Sequence, residues 1–337
     1  MKKIKNLITK INWKQFRITV VIICLAFLFG IKLGHLLQNK CETRQEFLLG
    51  TFVEVKLWGS DREKLATTAD KIITEIRNCE GKFSTSVKSS DISKINDNTG
   101  NFVAVSGETY DLLEQALYYA KITDGAFDPT VGVFTNLWQI GSDKAHVPSG
   151  SDISRAKKFV GYKNVKLRKE NGHFFAFVPR NFRLDLGAIA KGYITDKIRS
   201  LVSPDTEALL DLGGNICVIG KTTRKIGLQK PWAKRGEIFK KVSAKNTCVV
   251  TSGAYERYFK KDGKLYHHII DPATGLPSGS DLESVTIITP NATMADALST
   301  ALFVMGQEKA EKFIKTFGKQ LGFEAILKTK GDANNEK

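Results

Sequence analysis

Asp296 and Thr300 stand four residues apart in MADALSTALFVMG, a segment whose apolar spacing is typical of a helix. Residues four apart share one helix face, so a carboxylate and a hydroxyl would lie one turn from each other. Two oxygens in this arrangement suit a hard cation such as Mg²⁺. The alternative is structural, with the carboxylate capping the helix and the hydroxyl bonding back to its own backbone.

Two histidines precede a turn in the upstream segment YHHIIDPATG. A β-branched pair follows them, and Asp271, Pro272 and Gly275 are residues that favour turns. The pattern predicts a strand that delivers polar side chains to the rim of a site. His268 is interpreted either as a catalytic group or as a hydrogen-bonded histidine at a strand end, and His267 as an exposed or structural residue.

Four further motifs combine an acidic residue with glycine: DGAFDPTVG, DLGAIAKGY, LLDLGGN and TSGAYER. Glycine lets a ligand approach the main chain closely, so these loops indicate a long ligand with several polar parts. In DLGAIAKGY, Gly187 opens a helix-patterned stretch whose free N–H groups could face a phosphate, with Lys191 as an added positive charge. The structural alternatives are that Lys191 is solvated and that Asp185 only caps the helix. The GxxxxGK[ST] spacing of a P-loop is absent.

The N-terminus differs in composition from the rest of the chain. An uncharged apolar run covers residues 18–31 and continues less cleanly to Leu37; the cations before it are Lys2, Lys3, Lys5, Lys10, Lys14 and Arg17. This is the pattern of a membrane anchor or signal segment over residues 18–37, with a basic cytoplasmic N-terminus at 1–17. The run is followed by no small-x-small cleavage motif, and Ile23 before Cys24 does not suit lipidation. We expect a single-pass protein of the cytoplasmic membrane whose remainder lies on the extracytoplasmic (periplasmic) side.

Charge and cysteine usage restrict the class of partner. Half of the net charge of +16 comes from the first 44 residues, which hold nine cations and one anion. The remainder is moderately basic, which suits an anionic membrane surface or a phosphorylated ligand. Its cations are scattered, which argues against nucleic-acid binding. The cysteines lack C-x-x-C spacing, so a zinc site is not expected, whereas a disulfide is compatible with an oxidising compartment.

The spacing of apolar residues predicts an α+β fold with mostly antiparallel sheets and flanking helices. FLLGTFVEVKLWG is predicted as the first strand, DREKLATTADKIITEIRNCEGKFS as a helix, and Ser106 to Ile122 as a second helix with Ser106 and Thr109 as caps. Further strands are predicted at VKLRK, HFFAFV, EALLDLGG, CVIGK, KIGLQ, CVVTSG, LYHHII and ESVTIIT. The short turns between them argue against a parallel βαβ sheet.

Taken in order, the motifs between Gly125 and Gly306 resemble those of the ApbE family, FAD:protein FMN transferases of the outer face of bacterial membranes. The matching segments are DGAFDPTVGVFTNLW, LDLGAIAKGYITD, LLDLGGN, TSGAYER, HHIIDPATG and ADALSTALFVMG. The combination is specific, although any one of the glycine-rich loops would be a weak signal. The resemblance implies a two-subdomain, T-fold-related flavin transferase domain over residues 45–325, followed by a polar tail at 326–337.

The resemblance also implies site residues. Asp296 and Thr300 match the family's Mg²⁺-binding pair, joined by the backbone carbonyl of Ala188. The positions that match FAD contacts are Leu49, Ser86, Ala126, Phe127, Asp128, Asp185, Lys191 and Ile270. Leu49 replaces a methionine common in the family and Ser86 replaces an aromatic residue, so contact with the flavin rings would differ here. The aromatic residues Phe134 and Trp138 are interpreted as core and not as a flavin platform.

The implied reaction moves the FMN half of FAD onto a threonine hydroxyl of an acceptor flavoprotein, releases AMP and requires Mg²⁺. A positioned base accelerates such a step by roughly 10²- to 10⁴-fold; His268 is the candidate, with Asp271 as the second choice. Membrane redox complexes and secreted flavoproteins are the implied acceptors. Two alternatives stay open: an FAD pyrophosphatase that uses water in place of threonine, and a non-catalytic, membrane-anchored flavin-binding protein.

Overall fold

The computed structural model describes residues 40–330. The predicted N-terminal anchor and residues 331–337 of the predicted tail lie outside this range. Across residues 40–330, no helix combines the length and the apolar character needed to cross a membrane.

The described chain contains fourteen strands and eight α-helices. Up to residue 199 they are β1 (Lys40–Leu48), β2 (Thr51–Gly59), α1 (Arg62–Phe83), α2 (Asp91–Asp97), β3 (Phe102–Val105), α3 (Gly107–Ile122), α4 (Gly132–Trp138), α5 (Gly150–Ala156), β4 (Lys166–Glu170), β5 (His173–Phe177) and α6 (Ala190–Arg199). The second part contains β6 (Glu207–Leu212), β7 (Asn215–Ile219), β8 (Arg224–Gln229), β9 (Ile238–Ala244), β10 (Thr247–Gly253), β11 (Tyr258–Lys261), β12 (Lys264–His267), β13 (Leu282–Thr289), α7 (Ala292–Met305), α8 (Gln307–Leu321) and β14 (Glu324–Thr329). Strand β14 thus continues beyond residue 325, where the sequence suggested a polar tail.

A seven-stranded antiparallel sheet organises the molecule, in the order β1-β2-β6-β7-β10-β13-β14. Strands β3, β5 and β4 form a smaller antiparallel sheet, and β8–β9 and β11–β12 are hairpins. The predicted α+β fold with mostly antiparallel sheets is therefore confirmed. Helices α1 and α3 also match the prediction closely, and the Ser106 hydroxyl caps α3 by accepting the Thr109 N–H.

The first predicted strand is in fact a hairpin. Leu49 and Gly50 form a two-residue turn between β1 and β2, with φ angles of 56° and 68°. Such turns require positive φ, which leucine seldom adopts, so FLLGTFVEVKLWG lacks the usual turn signal and the prediction of one strand is wrong. The Leu49 N–H is held in place because it donates to Glu80 Oε1 at 2.8 Å.

The two faces of the main sheet are covered differently. Alternate residues of β2 (Val53, Val55 and Leu57) pack with α1, α6 and α7 into the main apolar core. Apolar residues of the β8–β9 hairpin pack against part of the opposite face, on β7 and β10. A third apolar cluster surrounds Phe134 and Trp138 of α4. Strands β7 and β10 are also joined by a disulfide between Cys217 and Cys248, which are directly opposite in the register.

The strand registers bring three glycine-containing segments to the same end of the main sheet. Val53 pairs with Leu212, Asn215 with Val250, and Gly253 with Ser284. The turns at residues 49–50 and 213–214 and the chain after Gly253 therefore lie side by side. We call this group of strand ends the site end of the sheet.

Candidate functional site

Helices α6 and α7 cross closely at Gly192. A Cβ atom at this position would lie 2.2 Å from the Ala292 carbonyl oxygen and 2.8 Å from Asp296 Cβ. The Gly192 N–H donates to Asp296 Oδ2 at 2.9 Å, and Lys191 Nζ lies 3.3 Å from Asp296 Oδ1. Asp296 is only 2% exposed. The crossing thus holds a buried carboxylate against a backbone donor and an ammonium group.

Other residues perform the capping that was the structural alternative for Asp296. Asn291 Oδ1 accepts the Met294 N–H at 2.8 Å at the start of α7. Asp196 accepts the first two backbone N–H groups of that helix, those of Ala292 and Thr293, at 2.9 and 2.8 Å. The back-bonded hydroxyl is that of Ser299, which donates to the Asp296 carbonyl, whereas Thr300 Oγ1 lies 3.1 Å from Ser252 Oγ of β10. The Asp296 carboxylate is therefore not used to start the helix.

The oxygens around this crossing fit a hard cation. The Gly192 N–H is one of the first N–H groups of α6, which have no partner inside the helix, and it donates to Asp296. It is therefore not directed to the Ala188 carbonyl oxygen, which lies in the loop before the helix. A carboxylate, a hydroxyl and a carbonyl are oxygen ligands of the type that Mg²⁺ accepts while it keeps water or phosphate oxygens in its remaining positions.

Asp185 links two of the glycine-containing loops. Its Oδ1 accepts the Gly187 N–H at 2.8 Å, and its Oδ2 accepts the Thr135 hydroxyl of α4 at 2.7 Å. The Asp185 N–H donates to the Pro129 carbonyl at 2.8 Å. Helix α6 begins later, at Ala190, without a side-chain cap. Asp185 therefore fixes the loop before the helix and ties it to the DPTVG segment.

His268 follows β12 and is held by one carbonyl oxygen. The Arg257 carbonyl accepts the His268 backbone N–H at 3.0 Å, and His268 Nδ1 lies 3.2 Å from the same oxygen. Because a carbonyl can only accept, the proton of the neutral ring is assigned to Nδ1. Burial among protein atoms lowers the pKa of His268 to about 3, and the nearby positive charge of Arg257 acts in the same direction. At neutral pH the ring is uncharged, and Nε2 can accept a proton.

His267 and Asp271, which stand before and after His268 in the same motif, have structural roles in the fold. His267 is buried, with Nε2 3.1 Å from the Ser278 carbonyl and its ring edge-to-face with Phe303, and burial lowers its pKa. The structural interpretation of His267 is thus confirmed. Asp271 accepts the Ala273 N–H at 2.8 Å and the Thr274 hydroxyl at 2.9 Å within its own turn. The second-choice base is therefore occupied in holding that turn.

Several positions that match FAD contacts have inward-facing side chains. Phe127 lies in the main core and Ile270 in the cluster around α4. Asp128 is buried, where it accepts hydrogen bonds from Thr130 and from the Tyr162 N–H, and burial raises its pKa. At these positions the backbone, more than the side chain, could meet a ligand.

The other loop positions are more open. Ala126 is partly buried beside the main core. Leu49 lies in the hairpin turn at the site end of the sheet, and Ser86 is exposed in the loop after α1, where its N–H donates to Ser84 Oγ. The interpretation of Phe134 and Trp138 as core is confirmed, since both are fully buried. Trp138 Nε1 also donates to the Gly275 carbonyl at 2.8 Å and so connects α4 to the DPATG turn.

Sequence reasoning missed three polar residues at the site end of the sheet. Ser252 contacts Thr300, and the Arg257 side chain lies beside the backbone at Gly50 and Gly141, within 3.9 and 3.3 Å of the positions a Cβ would take there. Asn215 is 1% exposed, and among residues 40–330 its Nδ2 has no hydrogen-bond partner. All three belong to the motifs LLDLGGN and TSGAYER, so the sequence pointed to these segments. Which of their residues face the site could be seen only from the pairing of the strands.

Opposite charges converge on the same region. Burial raises the pKa of Glu256, and positive charges on Arg235, Lys191 and Arg257 oppose that rise. Burial likewise raises the pKa of Asp211, whose Oδ1 accepts the Gly214 N–H at 3.0 Å. The region therefore brings together the positive charges of Arg235, Lys191 and Arg257, which is the electrostatic environment that a phosphate-containing ligand requires.

Comparison with known proteins shows which family the chain belongs to. The model of the ApbE family matches residues 49–327. The FAD:protein FMN transferase of Treponema pallidum (strain Nichols) is 35% identical over 295 residues, which cover 82% of either chain. That of Klebsiella pneumoniae (strain 342) is 34% identical, covering 81% of this chain and 85% of the relative. The crystal structure of the ApbE protein of Thermotoga maritima superposes with a TM-score of 0.80 and 36% identity, covering 87% of this chain and 95% of that one. This chain belongs to the ApbE family.

Proposed function

We propose that the chain is a Mg²⁺-dependent FAD:protein FMN transferase that attaches FMN to a threonine hydroxyl and releases AMP. The observation that carries this proposal is the buried Asp296 carboxylate, which α7 holds against the DLGAIAKG loop at Gly192 and Lys191. The curated relatives named above bear this enzyme name over most of their length.

Three oxygens would hold the metal ion: the Asp296 carboxylate, the Thr300 hydroxyl and the Ala188 carbonyl. When bound, Mg²⁺ would offset the negative charge of the FAD pyrophosphate and of the departing AMP. Lys191 would place a second positive charge beside these phosphates. Ser252 would orient the Thr300 hydroxyl through the contact at 3.1 Å.

His268 would act as the general base. Its Nε2 takes the proton of the acceptor threonine while the threonine oxygen forms a bond to the FMN-side phosphorus. The phosphoanhydride bond to the AMP phosphate breaks, and AMP leaves with the bonding electron pair. The Arg257 carbonyl keeps the ring in the tautomer that this transfer needs.

Cellular placement is part of the proposal. Residues 18–37 would anchor the chain in the cytoplasmic membrane, with residues 40–330 on the extracytoplasmic side. The acceptor would be a flavoprotein of the same compartment, for example a subunit of a membrane redox complex. The basic composition of the exported part is compatible with work beside an anionic membrane surface.

A labelling experiment tests the proposal. The full-length chain in detergent is incubated with FAD, Mg²⁺ and an envelope fraction from source cells that lack this gene. Denaturing gels are then examined for flavin fluorescence, and AMP is measured in parallel. The transferase predicts fluorescent bands with FAD but not with FMN, and their loss when EDTA is added. AMP release without labelled protein would indicate a pyrophosphatase, and neither product would indicate a flavin-binding protein.

A further inference from the structure

Exposed aromatic side chains are concentrated beside the site end of the sheet. Phe47 and Phe52 of the β1–β2 hairpin are 66% and 63% exposed, the highest values among large apolar residues in the described chain. Trp232, in the loop between β8 and β9, and Tyr258 of β11 are also exposed. We call these four residues the aromatic rim. Exposed aromatic groups of this kind are typical of surfaces that bind another protein.

The aromatic rim is held in a fixed arrangement. Phe47 and Phe52 are directly opposite in the hairpin register, with ring centroids 5.5 Å apart and edge-to-face. Trp232 has a φ of 62°, which is strained for this residue, and its Nε1 donates to Glu283 Oε1 at 2.9 Å. Its ring meets Tyr258 edge-to-face at 5.2 Å. Rigid aromatic side chains lose little conformational entropy on binding, which makes them effective anchors.

The rim is continuous with the residues assigned to the reaction. The Arg235 guanidinium lies 6.0 Å from the Phe52 ring centroid, and its charge also acts to lower the pKa of Glu256. Tyr258 follows Arg257, whose carbonyl holds His268, and pairs with His267 in the β11–β12 register. An acceptor that brings a hydroxyl to His268 would therefore come next to this surface.

The charges of the rim favour an acidic protein partner. The loop 230–237 that carries Trp232 has the sequence KPWAKRGE, with three cations and one anion. A membrane fits the geometry less well. Phe47 stands seven residues after Lys40 on an extended strand. It therefore lies about 24 Å from Lys40, the start of β1, which follows the predicted anchor in sequence.

We propose that the aromatic rim is the docking surface for the acceptor protein, and that it binds a threonine-bearing segment flanked by acidic side chains. This inference rests on the proposed transferase activity. In it, Phe47, Phe52 and Trp232 contact the acceptor and not FAD. The rim therefore sets which protein is modified, while the groups around Asp296 and His268 perform the transfer.

Acceptor kinetics test the inference. The probe is the envelope protein that gains covalent flavin from the wild-type chain in the labelling experiment, purified from cells that lack this gene. The double variant Phe47→Ser/Phe52→Ser and the single variant Trp232→Ala are expected to lower kcat/KM for this acceptor by roughly 10- to 100-fold. The Kd for FAD and the rate at saturating acceptor should stay at wild-type values. Exchanging acidic residues near the modified threonine for amides should produce a similar loss.

Phe102→Ser is the matched control, because Phe102 is also exposed and carries the Arg168 guanidinium over its ring at 4.5 Å, but lies on the separate small sheet. Its kinetics should remain those of the wild type. Unchanged acceptor kinetics in the rim variants would overturn the docking surface alone, whereas an unlabelled acceptor with wild-type enzyme would overturn the transferase. A defect seen only in proteoliposomes and not in detergent would assign the rim to the membrane. A wild-type dimer that the double variant abolishes would assign it to a second copy of this chain.

Discussion

At the scale of single residues, the site depends on where burial places charge. The Asp296 carboxylate is almost fully removed from water, yet it keeps a backbone N–H and an ammonium group as partners. A buried carboxylate without such partners would be protonated or destabilising. His268 shows the opposite effect, since burial keeps its ring neutral. A carboxylate that can hold a cation, together with a neutral imidazole that can accept a proton, suits a phosphoryl transfer.

Asp296→Asn tests the metal assignment. The amide oxygen can still accept the Gly192 N–H, so the fold should be retained, but the negative charge is lost. We expect Mg²⁺-dependent AMP formation to fall by at least about 10²-fold, with FAD still bound. Isothermal titration with Mg²⁺ and an AMP assay measure the two effects.

Asp281→Asn is the control, because Asp281 accepts the Gln307 N–H at the start of α8 and its substitution should not affect turnover. Normal activity in Asp296→Asn would remove this residue from the metal site.

The pH dependence tests His268. An ordinary histidine is protonated below about pH 6.5 and loses its function as a base there. Because the pKa of His268 is lowered to about 3, its ring stays neutral as the pH falls through 6.5, and kcat/KM for FAD should not decline with an apparent pKa near that value. Transfer rates between pH 5 and 8 give the profile. His268→Gln should lower the rate by about 10²-fold or more at every pH in this range. A wild-type decline centred near pH 6.5 that His268→Gln abolishes would contradict the neutral ring.

At the scale of elements, the close approach of α6 and α7 positions the carboxylate. Gly192→Ala should lower the free energy of unfolding by about 1–3 kcal/mol, because the new Cβ would overlap the Ala292 carbonyl. Mg²⁺-dependent turnover should fall with it, as Asp296 is displaced. Gly81→Ala is the matched control in α1, since a Cβ there has open space, and it should stabilise the protein by about 0.5–1 kcal/mol. Urea unfolding and the AMP assay measure both variants; equal stability of the two would refute the tight crossing.

The disulfide between the two central strands makes a separate prediction. Cys217 and Cys248 are 31 residues apart in sequence, so the closed loop should contribute about 3.5–4 kcal/mol to the free energy of unfolding. The double variant Cys217→Ala/Cys248→Ala should lose about this amount, and reductant should have no further effect on it. Cys41→Ser, at an exposed free thiol, is the control and should unfold as the wild type. If reductant leaves the unfolding midpoint of the wild-type chain unchanged, the bond is absent in solution.

Helices α1 and α3 were predictable because their signals are local. Ser106 caps the start of α3, and the apolar residues of α1 recur at the spacing of its buried face. The positions of both helices could therefore be predicted from the sequence. The β1–β2 turn could not be predicted in this way, because Leu49 has a positive φ and its N–H is held by Glu80, a residue on α1. Strands β3, β9, β11 and β14 were not predicted, because each is short or lacks a strict alternation of apolar and polar residues. Patterns of neighbouring residues thus predicted the elements that depend on local interactions, and missed those that depend on contacts with distant segments.

At the scale of the whole molecule, the site is assembled from segments far apart in sequence. The motif residues Asp185, Lys191, His268, Asp296 and Thr300 could be named from the sequence. Their contacts with Thr135, Gly192, Arg257 and Ser252 could not, because those depend on which strand ends meet at the site end of the sheet. Family resemblance supplied the reaction, and the fold supplied the partners of each side chain.

The ratio of AMP to modified acceptor tests the central claim most directly. Wild-type chain, FAD and Mg²⁺ are mixed with purified acceptor, AMP is quantified, and the acceptor is weighed intact and mapped by peptide mass spectrometry. The transferase predicts one AMP for each FMN gained, with the FMN attached to a threonine through a phosphoester. AMP formed in the presence of an acceptor of unchanged mass would contradict the account.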